Sequence, residues 1–418
     1  MTGPGISRFG PEEEAEVLSV LRERELSRYR FDDHDGVAPL SKVARFEQEF
    51  RTLTGARHCL GMNSCTSALF AGLLAAGVGP GDEVIVPGYT FIAPIAAVVH
   101  TGAEPVLAEI DESLLLDPAD VAAKITARTK AVIAVHMLGA PCDLDALGAV
   151  TREHGLLLVE DCAQAGGGTY HGRHLGTFGR FGAFSLNVFK TFTAGDGGVL
   201  LTGDDDLYET AFALHDHGAA PLRMGVTDGP PLFGLNLRMH ELTGAVALAQ
   251  VRKLPDILRT LRANRDKLAD AIGDLPGVTR RPLHDPDGDC ATVLAYTFAS
   301  AATAGEVATR LGTITLNQSG KHHYANMSQL RPDLTDLTVP RASETPRPER
   351  AVLHRSYPPG SLPRTDDLLS RSILLSVGVV DSYLGSGVGI DVNADDDAIE
   401  AAARLFKTTV EDATKAAL

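Results

Sequence analysis

Three places along the 418-residue chain carry residue types that can do covalent and acid–base chemistry together: Lys190, Asp161 and the turn Ser64-Cys65-Thr66. Lys190 follows Phe184-Ser185-Leu186-Asn187-Val188-Phe189 and precedes Thr191-Phe192-Thr193-Ala194-Gly195-Asp196-Gly197-Gly198. An ammonium in such apolar surroundings is desolvated, which lowers its pKa toward a nucleophilic amine able to form a Schiff base. A solvated surface lysine is the plainer reading of the same segment. Asp161 stands just past the apolar run 156–159, in Glu160-Asp161-Cys162-Ala163-Gln164. Ligands of open parallel sheets bind beyond the carboxyl ends of the strands. A carboxylate there can pair with a protonated pyridine nitrogen, the partner that makes pyridoxal phosphate an electron sink. Capping of the next helix suits the residue type equally, and both roles can hold in one site. Ser64, Cys65 and Thr66 precede an apolar run and read as a helix N-terminus, whose free N–H groups and dipole favour a phosphate. Any well-capped helix looks similar, so the signal gains force only in combination with Ser185, Asp161 and Lys190.

The elements that must position these residues follow from the hydrophobic pattern. Between 41 and 201, short apolar runs at 83–87, 105–110, 131–136 and 156–160 alternate with helical stretches at 41–53, 66–76 and 93–101. Strands separated by helices predict βαβ units and a mostly parallel sheet, with 198–201 as an antiparallel or edge element. A helix follows from 206 to about 217, then a Gly/Pro-rich loop at 219–234, then a long helix at 239–273 with a break expected near Pro255. Pro, Asp and Arg cluster at 276–289, which places a boundary between a large domain, 1–275, and a small α+β domain, 276–418. In the second, a strand (293–298), a helix (304–311), a further strand, a long polar loop including 339–366, and a final helix (395–413) are expected.

Composition excludes several classes. Hydrophobic residues make up 44% and charged residues 22%, an ordinary globular balance rather than a disordered or fibrous one. With 54 acidic against 38 basic residues the formal charge is −16, a poor match for nucleic acid or an anionic membrane surface. No apolar run approaches the roughly 18 residues of a membrane span, and residues 1–17 lack a signal-peptide pattern. Cys59, Cys65, Cys142, Cys162 and Cys290 form no CxxC pair, so reduced thiols, a cytoplasmic location and no metal site are expected. No GxGxxG or P-loop pattern appears.

Read in order, the motifs resemble the DegT/StrS family of pyridoxal-phosphate-dependent sugar aminotransferases, of the aspartate-aminotransferase fold type I, from about Phe9 to the C-terminus. The segments that carry the likeness are Gly79-Pro80-Gly81-Asp82-Glu83-Val84-Ile85-Val86-Pro87, Thr90-Phe91-Ile92-Ala93, 161–164, 176–185, 190–198 and 234–254. The resemblance implies that Lys190 is the Schiff-base lysine and proton shuttle, Asp161 the pyridinium partner, and Gln164 a neighbour of the phenolic oxygen. It further implies that Phe91 stacks on the ring, that Ser64, Cys65, Thr66 and Ser185 hold the phosphate, and that Asn236 reaches the phosphate of a neighbouring subunit in a homodimer with shared sites. The implied reaction moves an amino group from glutamate or glutamine to a keto-sugar or keto-cyclitol. A PLP enzyme of another reaction type, or a non-catalytic regulator on the same fold, is the alternative. Phe9-Gly10-Pro11-Glu12-Glu13, 28–32, Asp216-His217-Gly218, 285–289 and 370–373 are similar to a subgroup containing 8-amino-3,8-dideoxy-manno-octulosonate transaminase.

There are departures from the family pattern. Cys65 stands where glycine is usual, and admits a redox role or a passive one. Arg180 stands where aspartate is usual and is expected to reverse a charge near the cofactor. Asp196 stands for glutamate. Candidate substrate residues are Tyr29, Arg30, Arg238, His323 and Tyr324. Within Lys321-His322-His323-Tyr324 the last two are the favoured pair, against a packing role; adjacent side chains of an extended segment face opposite ways. His215-Asp216-His217 reads as a helix C-cap.

Overall fold

A computed structural model describes residues 3–29, 41–218, 232–330 and 355–417. Arg30, most of the 219–234 loop and residues 339–354 lie outside the described residues.

The first sheet has seven strands: β1 (His58–Met62), β2 (Glu83–Pro87), β3 (Glu104–Ala108), β4 (Thr129–Val135), β5 (Leu157–Asp161), β8 (Phe181–Ser185) and β9 (Gly198–Thr202), with a two-strand hairpin, β6 (Thr169–Tyr170) and β7 (Arg173–His174), beside it. Their order across the sheet is β1-β9-β8-β5-β4-β2-β3, and only β9 runs antiparallel to its neighbours. Most positions of β2, β3, β4 and β9 are buried, as expected where helices cover both faces. β9 is therefore antiparallel as expected, but the edge belongs to β1. The apolar residues of β1 merge with the turn that follows, which hides it in the sequence.

Two features concentrate function at one edge. The carboxyl ends of β1, β2, β4, β5 and β8 point the same way, and antiparallel β9 starts there. Helices Cys65–Ala75 and Ile92–Thr101 begin just past β1 and β2, so their N-termini face that edge. The first is capped by Ser64, whose Oγ accepts from the Ser67 N–H at 3.0 Å.

The long helix Glu241–Ile272 passes through Pro255 without the expected break. A helical proline removes one hydrogen bond, and Leu254, Ile257, Leu258 and Leu261 are all buried around it. A second sheet, β10 (Val278–Arg280), β11 (Val293–Phe298) and β12 (Ser372–Ser376), is wholly antiparallel. Helices Ala301–Leu311 and Asp396–Ala417 accompany it. The strand expected directly after Leu311 is not formed; two short turns of 3-10 helix lie at Leu316–Gln318 and Tyr324–Asn326 instead. Part of the expected loop up to 366 is the helix Pro363–Ser370. No helix among the described residues is long and apolar enough to cross a membrane.

Candidate active site

At the carboxyl edge of the first sheet lies a cavity of about 330 Å³. Ser64, Cys65, Thr66, Phe91, Asp161, Gln164, Ser185 and Lys190 all line it, together with Thr90, Lys321, His322 and Asp381. Phe91, Asp161, Gln164, Ser185 and the turn 64–66 meet because each lies at or just past the carboxyl end of a strand of one sheet; Lys321, His322 and Asp381 come from the C-terminal part of the chain.

Lys190 sits in the loop joining β8 to β9, where its N–H donates to the Asn187 carbonyl at 3.0 Å and its carbonyl accepts from Gly5. Burial pushes its amine below the ordinary lysine range; Cys65, Asp161 and Asp381 oppose that shift. Asp161 ends β5, and its Oδ1 accepts from the Ala163 N–H at 2.9 Å and faces the Cys65 thiol at 4.0 Å. Burial pushes its carboxyl up, with the Ala163 N–H, Lys190 and His136 pulling the other way. No helix follows Asp161, so the expected N-cap is not formed: Oδ1 takes the N–H of a turn two residues on instead, and the side chain lines the cavity. The Cys65 thiol is buried and pushed well up by burial and by Asp161, so it stays a neutral small side chain.

The phosphate-type feature is backbone. Gly198 lies against the start of the helix: a Cβ there would sit 2.2 Å from the Ser64 carbonyl carbon and 2.3 Å from the Cys65 nitrogen. Only glycine lets β9 approach so closely, and Gly198 is paired in register with Ser185 on one side and Met62 on the other.

Behind the cavity a strained turn is held from two sides. Leu138 has a left-handed backbone, φ 62°, a conformation rare for a branched side chain. Its N–H donates to Gln164 Oε1 at 2.8 Å. Its carbonyl accepts from the buried Arg281 at 3.2 Å and from Thr292 Oγ1 at 3.3 Å. Arg281 also reaches the Met137 carbonyl at 3.4 Å. With Oε1 engaged, Gln164 turns its NH2 donors elsewhere, on a side chain that lines the cavity.

His136, Glu160 and Cys162 form the one group of potential metal ligands among the described residues. Their lone pairs serve hydrogen bonds: His136 Nδ1 accepts from the Cys142 N–H at 3.0 Å, and Glu160 accepts from Gly176, Phe178 and Gly179 at 2.7–2.8 Å. Glu160 thereby fixes the turn that leads into β8.

Several expected residues lie elsewhere. Tyr29 is in the core, its hydroxyl 3.1 Å from His215 Nε2 and its ring edge-on to Phe212, beside the buried Arg28–Glu47 pair. His323 and Tyr324 are tied to Asp366, at 2.8 and 3.0 Å, and brace the helix Pro363–Ser370 rather than lining the cavity. Their neighbours Lys321 and His322 line it instead; the segment is a turn running into a 3-10 helix rather than extended, so residues 321–322 face one way together and 323–324 the other. Arg238 pairs with Asp216 and lies 3.0 Å from His217 Nδ1. Those bonds engage the 215–217 segment, which was read as a cap alone. Asn236 is exposed and outside this cavity, with Asn63 Nδ2 3.5 Å from its carbonyl. Arg180 binds Asp204 at 2.5 Å, at the start of β8, the end opposite Ser185, so its charge is remote from the cavity. Within the Lys321–Tyr324 cluster the favoured pair was the wrong one, and Asp381 and Arg281 escaped sequence reasoning; the loops that carry them have no periodic signal.

Known proteins resemble the chain in both sequence and fold. The profile of the DegT/DnrJ/EryC1/StrS aminotransferase family matches residues 32–350. The spore coat polysaccharide biosynthesis protein SpsC of Bacillus subtilis is 37% identical over 285 residues, 66% of this chain and 70% of that one. The L-glutamine:2-deoxy-scyllo-inosose aminotransferase of Streptoalloteichus tenebrarius is 39% identical over 260 residues, 58% of this chain. That match spans 61% of the relative's length, less than two thirds of it. Among solved structures, S. venezuelae DesV in complex with a ketimine intermediate superposes with a TM-score of 0.74 at 28% identity, over 96% of this chain and 94% of that one. The chain belongs to the DegT/DnrJ/EryC1/StrS aminotransferase family and has the fold type I architecture of pyridoxal-phosphate aminotransferases.

Proposed function

We propose that this chain moves an amino group from an amino acid, glutamate or glutamine, to the keto group of a sugar or cyclitol in specialised-metabolite or polysaccharide biosynthesis. The convergence of Lys190, Asp161, Ser185 and the helix start at Cys65 and Thr66 on one cavity carries this reading. The relatives support it: one is named for spore coat polysaccharide biosynthesis, the other for L-glutamine and 2-deoxy-scyllo-inosose. The likeness to the octulosonate transaminase subgroup favours an acceptor free of a nucleotide.

The residues present suit pyridoxal phosphate. Asp161 is a buried carboxylate held in part by a single backbone N–H, and a cationic ring nitrogen beside it would restore its charge. Gly198 approaches the helix start closely, and Cys65, Thr66 and Ser185 line the cavity there; the first N–H groups of a helix and a hydroxyl are donors that suit a phosphate. When bound, the cofactor supplies an aldehyde that exchanges amines and a ring that draws electrons from the reacting carbon. Lys190 is the amine that would hold this aldehyde, and its lowered pKa would let it hold and return a proton at the substrate carbon bearing nitrogen. Asp161 would keep the ring nitrogen protonated, Gln164 would donate to the phenolic oxygen, and Phe91, 42% exposed at the cavity, would cover the ring face. Asn236 belongs to the phosphate site of a second subunit, which makes a homodimer the working unit. Residues 1–275 form the cofactor-binding domain and 276–418 the smaller one, a division supported by the second sheet starting at Val278.

Purified protein with pyridoxal phosphate should be yellow, and borohydride should fix the cofactor on Lys190. Glutamate should yield 2-oxoglutarate in step with amination of a keto-cyclitol or keto-sugar. Amination of the acceptor without consumption of an amino acid would overturn the reading.

A further inference from the structure

Lys321 and His322 enter the cavity from a segment that the cofactor roles above leave unused. That segment is stitched to the strand-end turn carrying Phe91. The Thr90 N–H donates to the His322 carbonyl at 2.9 Å, the Tyr324 N–H donates to the Gly88 carbonyl at 3.1 Å, and the Phe91 and His322 rings lie 5.8 Å apart. Lys321 Nζ lies 4.1 Å over the Tyr383 ring, and no ion pair to it is formed among the described residues. The charged groups that share the cavity are Asp161, Asp196, Asp381 and Lys190. With Lys190 bound to the cofactor, the cavity is lined by carboxylates, inside a chain of net charge −16. An anionic ligand entering there needs a local cation, and Lys321 is the cation the described wall provides.

His322 is fixed in one neutral form. Ser319 Oγ donates its proton to the Tyr383 carbonyl at 2.7 Å, so it can only accept from His322 Nδ1, 3.1 Å away. Nδ1 therefore carries the ring proton and Nε2 the lone pair, on a buried side chain that lines the cavity. Burial and the nearby Lys190 and Lys321 hold the imidazole far below its usual range, at about 3, so it stays an acceptor across the working pH range. Thr90 Oγ1, also on the cavity wall, is fully buried without a hydrogen-bond partner. Cation, acceptor and unsatisfied hydroxyl together describe a subsite for a small ligand bearing a carboxylate and proton-donating groups.

We propose that Lys321 binds the carboxylate of the amino-acid donor, with His322 Nε2 accepting an N–H bond from the same molecule. Every amino-acid donor carries a carboxylate, whereas a keto-sugar or keto-cyclitol need not. The assignment rests on the aminotransferase reading, and its test separates the two. Holoenzyme is mixed with L-glutamate or L-glutamine alone, without acceptor, and loss of the yellow absorbance is followed in single turnover. Lys321→Met should raise the donor concentration for half-maximal rate by about tenfold or more, with the limiting rate changed less than threefold. Lys321→Arg should restore most of the affinity. The cofactor spectrum and cofactor affinity of Lys321→Met should match wild type, since Lys321 does not hold the cofactor. Unchanged donor half-saturation in Lys321→Met, or an equal loss in Lys321→Arg, overturns the proposal while leaving the aminotransferase reading intact. Failure of the wild-type holoenzyme to be bleached by any amino acid overturns both.

Discussion

Replacing Gly198 by alanine tests whether the cofactor cradle depends on backbone contact rather than on side chains. The new Cβ would sit 2.2 Å from the Ser64 carbonyl carbon and 2.3 Å from both the Cys65 nitrogen and the Ser64 oxygen. Ordinary contact begins at 3.4 Å, so β9 and the helix start must separate by at least 1.2 Å, the difference 3.4 − 2.2. These neighbours are backbone atoms, which cannot swing aside as a rotamer would. Gly198 is paired with Ser185 and Met62, so the movement carries Ser185 with it or breaks that pairing. A shift above 1 Å stretches a 2.9 Å hydrogen bond beyond useful length, and each charge-assisted bond contributes about 1.5–3 kcal/mol. Loss of one such bond weakens cofactor binding roughly 10- to 100-fold, and overpacking costs about 1–3 kcal/mol of stability. The assay is absorbance titration of the cofactor-free protein with pyridoxal phosphate, paired with thermal melting. Gly203→Ala is the control, because a Cβ at that exposed position meets nothing within 4 Å. Cofactor affinity within twofold of wild type for Gly198→Ala, at unchanged melting temperature, would refute the cradle.

Other outcomes follow from the same geometry. Lys190→Ala should abolish borohydride trapping and lower transamination by about 10²–10⁴-fold, read by coupled release of 2-oxoglutarate. Asp161→Asn should weaken cofactor binding yet leave the cofactor-free protein as stable as wild type or more so at neutral pH. The sign follows from linkage. A carboxyl raised by burial gives stability that is present below about pH 4, its unfolded value, and is lost as pH rises through the folded one. The stability gap between variant and wild type should therefore close as melts are taken toward pH 4. Asp366→Ala removes the acceptor shared by His323, Tyr324 and the Gly360 N–H. It should cost about 2–4 kcal/mol in urea unfolding without changing the donor concentration for half-maximal rate. A selective change in that concentration would return His323 and Tyr324 to the substrate site.

How much of this was legible in the sequence depends on where the information sits. The parallel strands and most of the residues now gathered round the cavity were legible because apolar runs mark the strands and the candidates end a strand or open a helix, as Asp161, Ser185 and Cys65 do. β1 was missed because its apolar run merges with the turn that follows, and the Pro255 break was misjudged because long-range packing outweighs one lost hydrogen bond. His322 and His323 show the limit most sharply. Both are buried, adjacent histidines in one turn segment, and nothing local tells them apart. Asp366, 43 residues away, takes His323, and Ser319, 3 residues away, takes His322. The choice is made by tertiary partners.

The same logic explains why the second sheet bears on the site rather than merely lying beside it. Leu138 holds a left-handed backbone whose strain is of order 1–3 kcal/mol. Its N–H is taken by Gln164, from the first sheet's edge, and its carbonyl by Arg281 and Thr292, which flank strands of the second sheet. Arg281 is buried, and burial pushes its guanidinium below the ordinary range; Asp289 only partly offsets this. A buried cation that donates to two carbonyls of one turn is costly unless the turn matters. What it secures is the direction of the Gln164 amide: release the Leu138 N–H and Oε1 becomes free to rotate, so that the NH2 no longer has a reason to face the cavity. If Gln164 serves the cofactor's phenolic oxygen as proposed, Arg281→Met should change the cofactor's absorbance and its pH dependence, although Arg281 itself is not part of the cavity wall. An unaltered spectrum across pH in a folded Arg281→Met protein would reduce Arg281 to a packing residue and leave Gln164 oriented by its own turn alone.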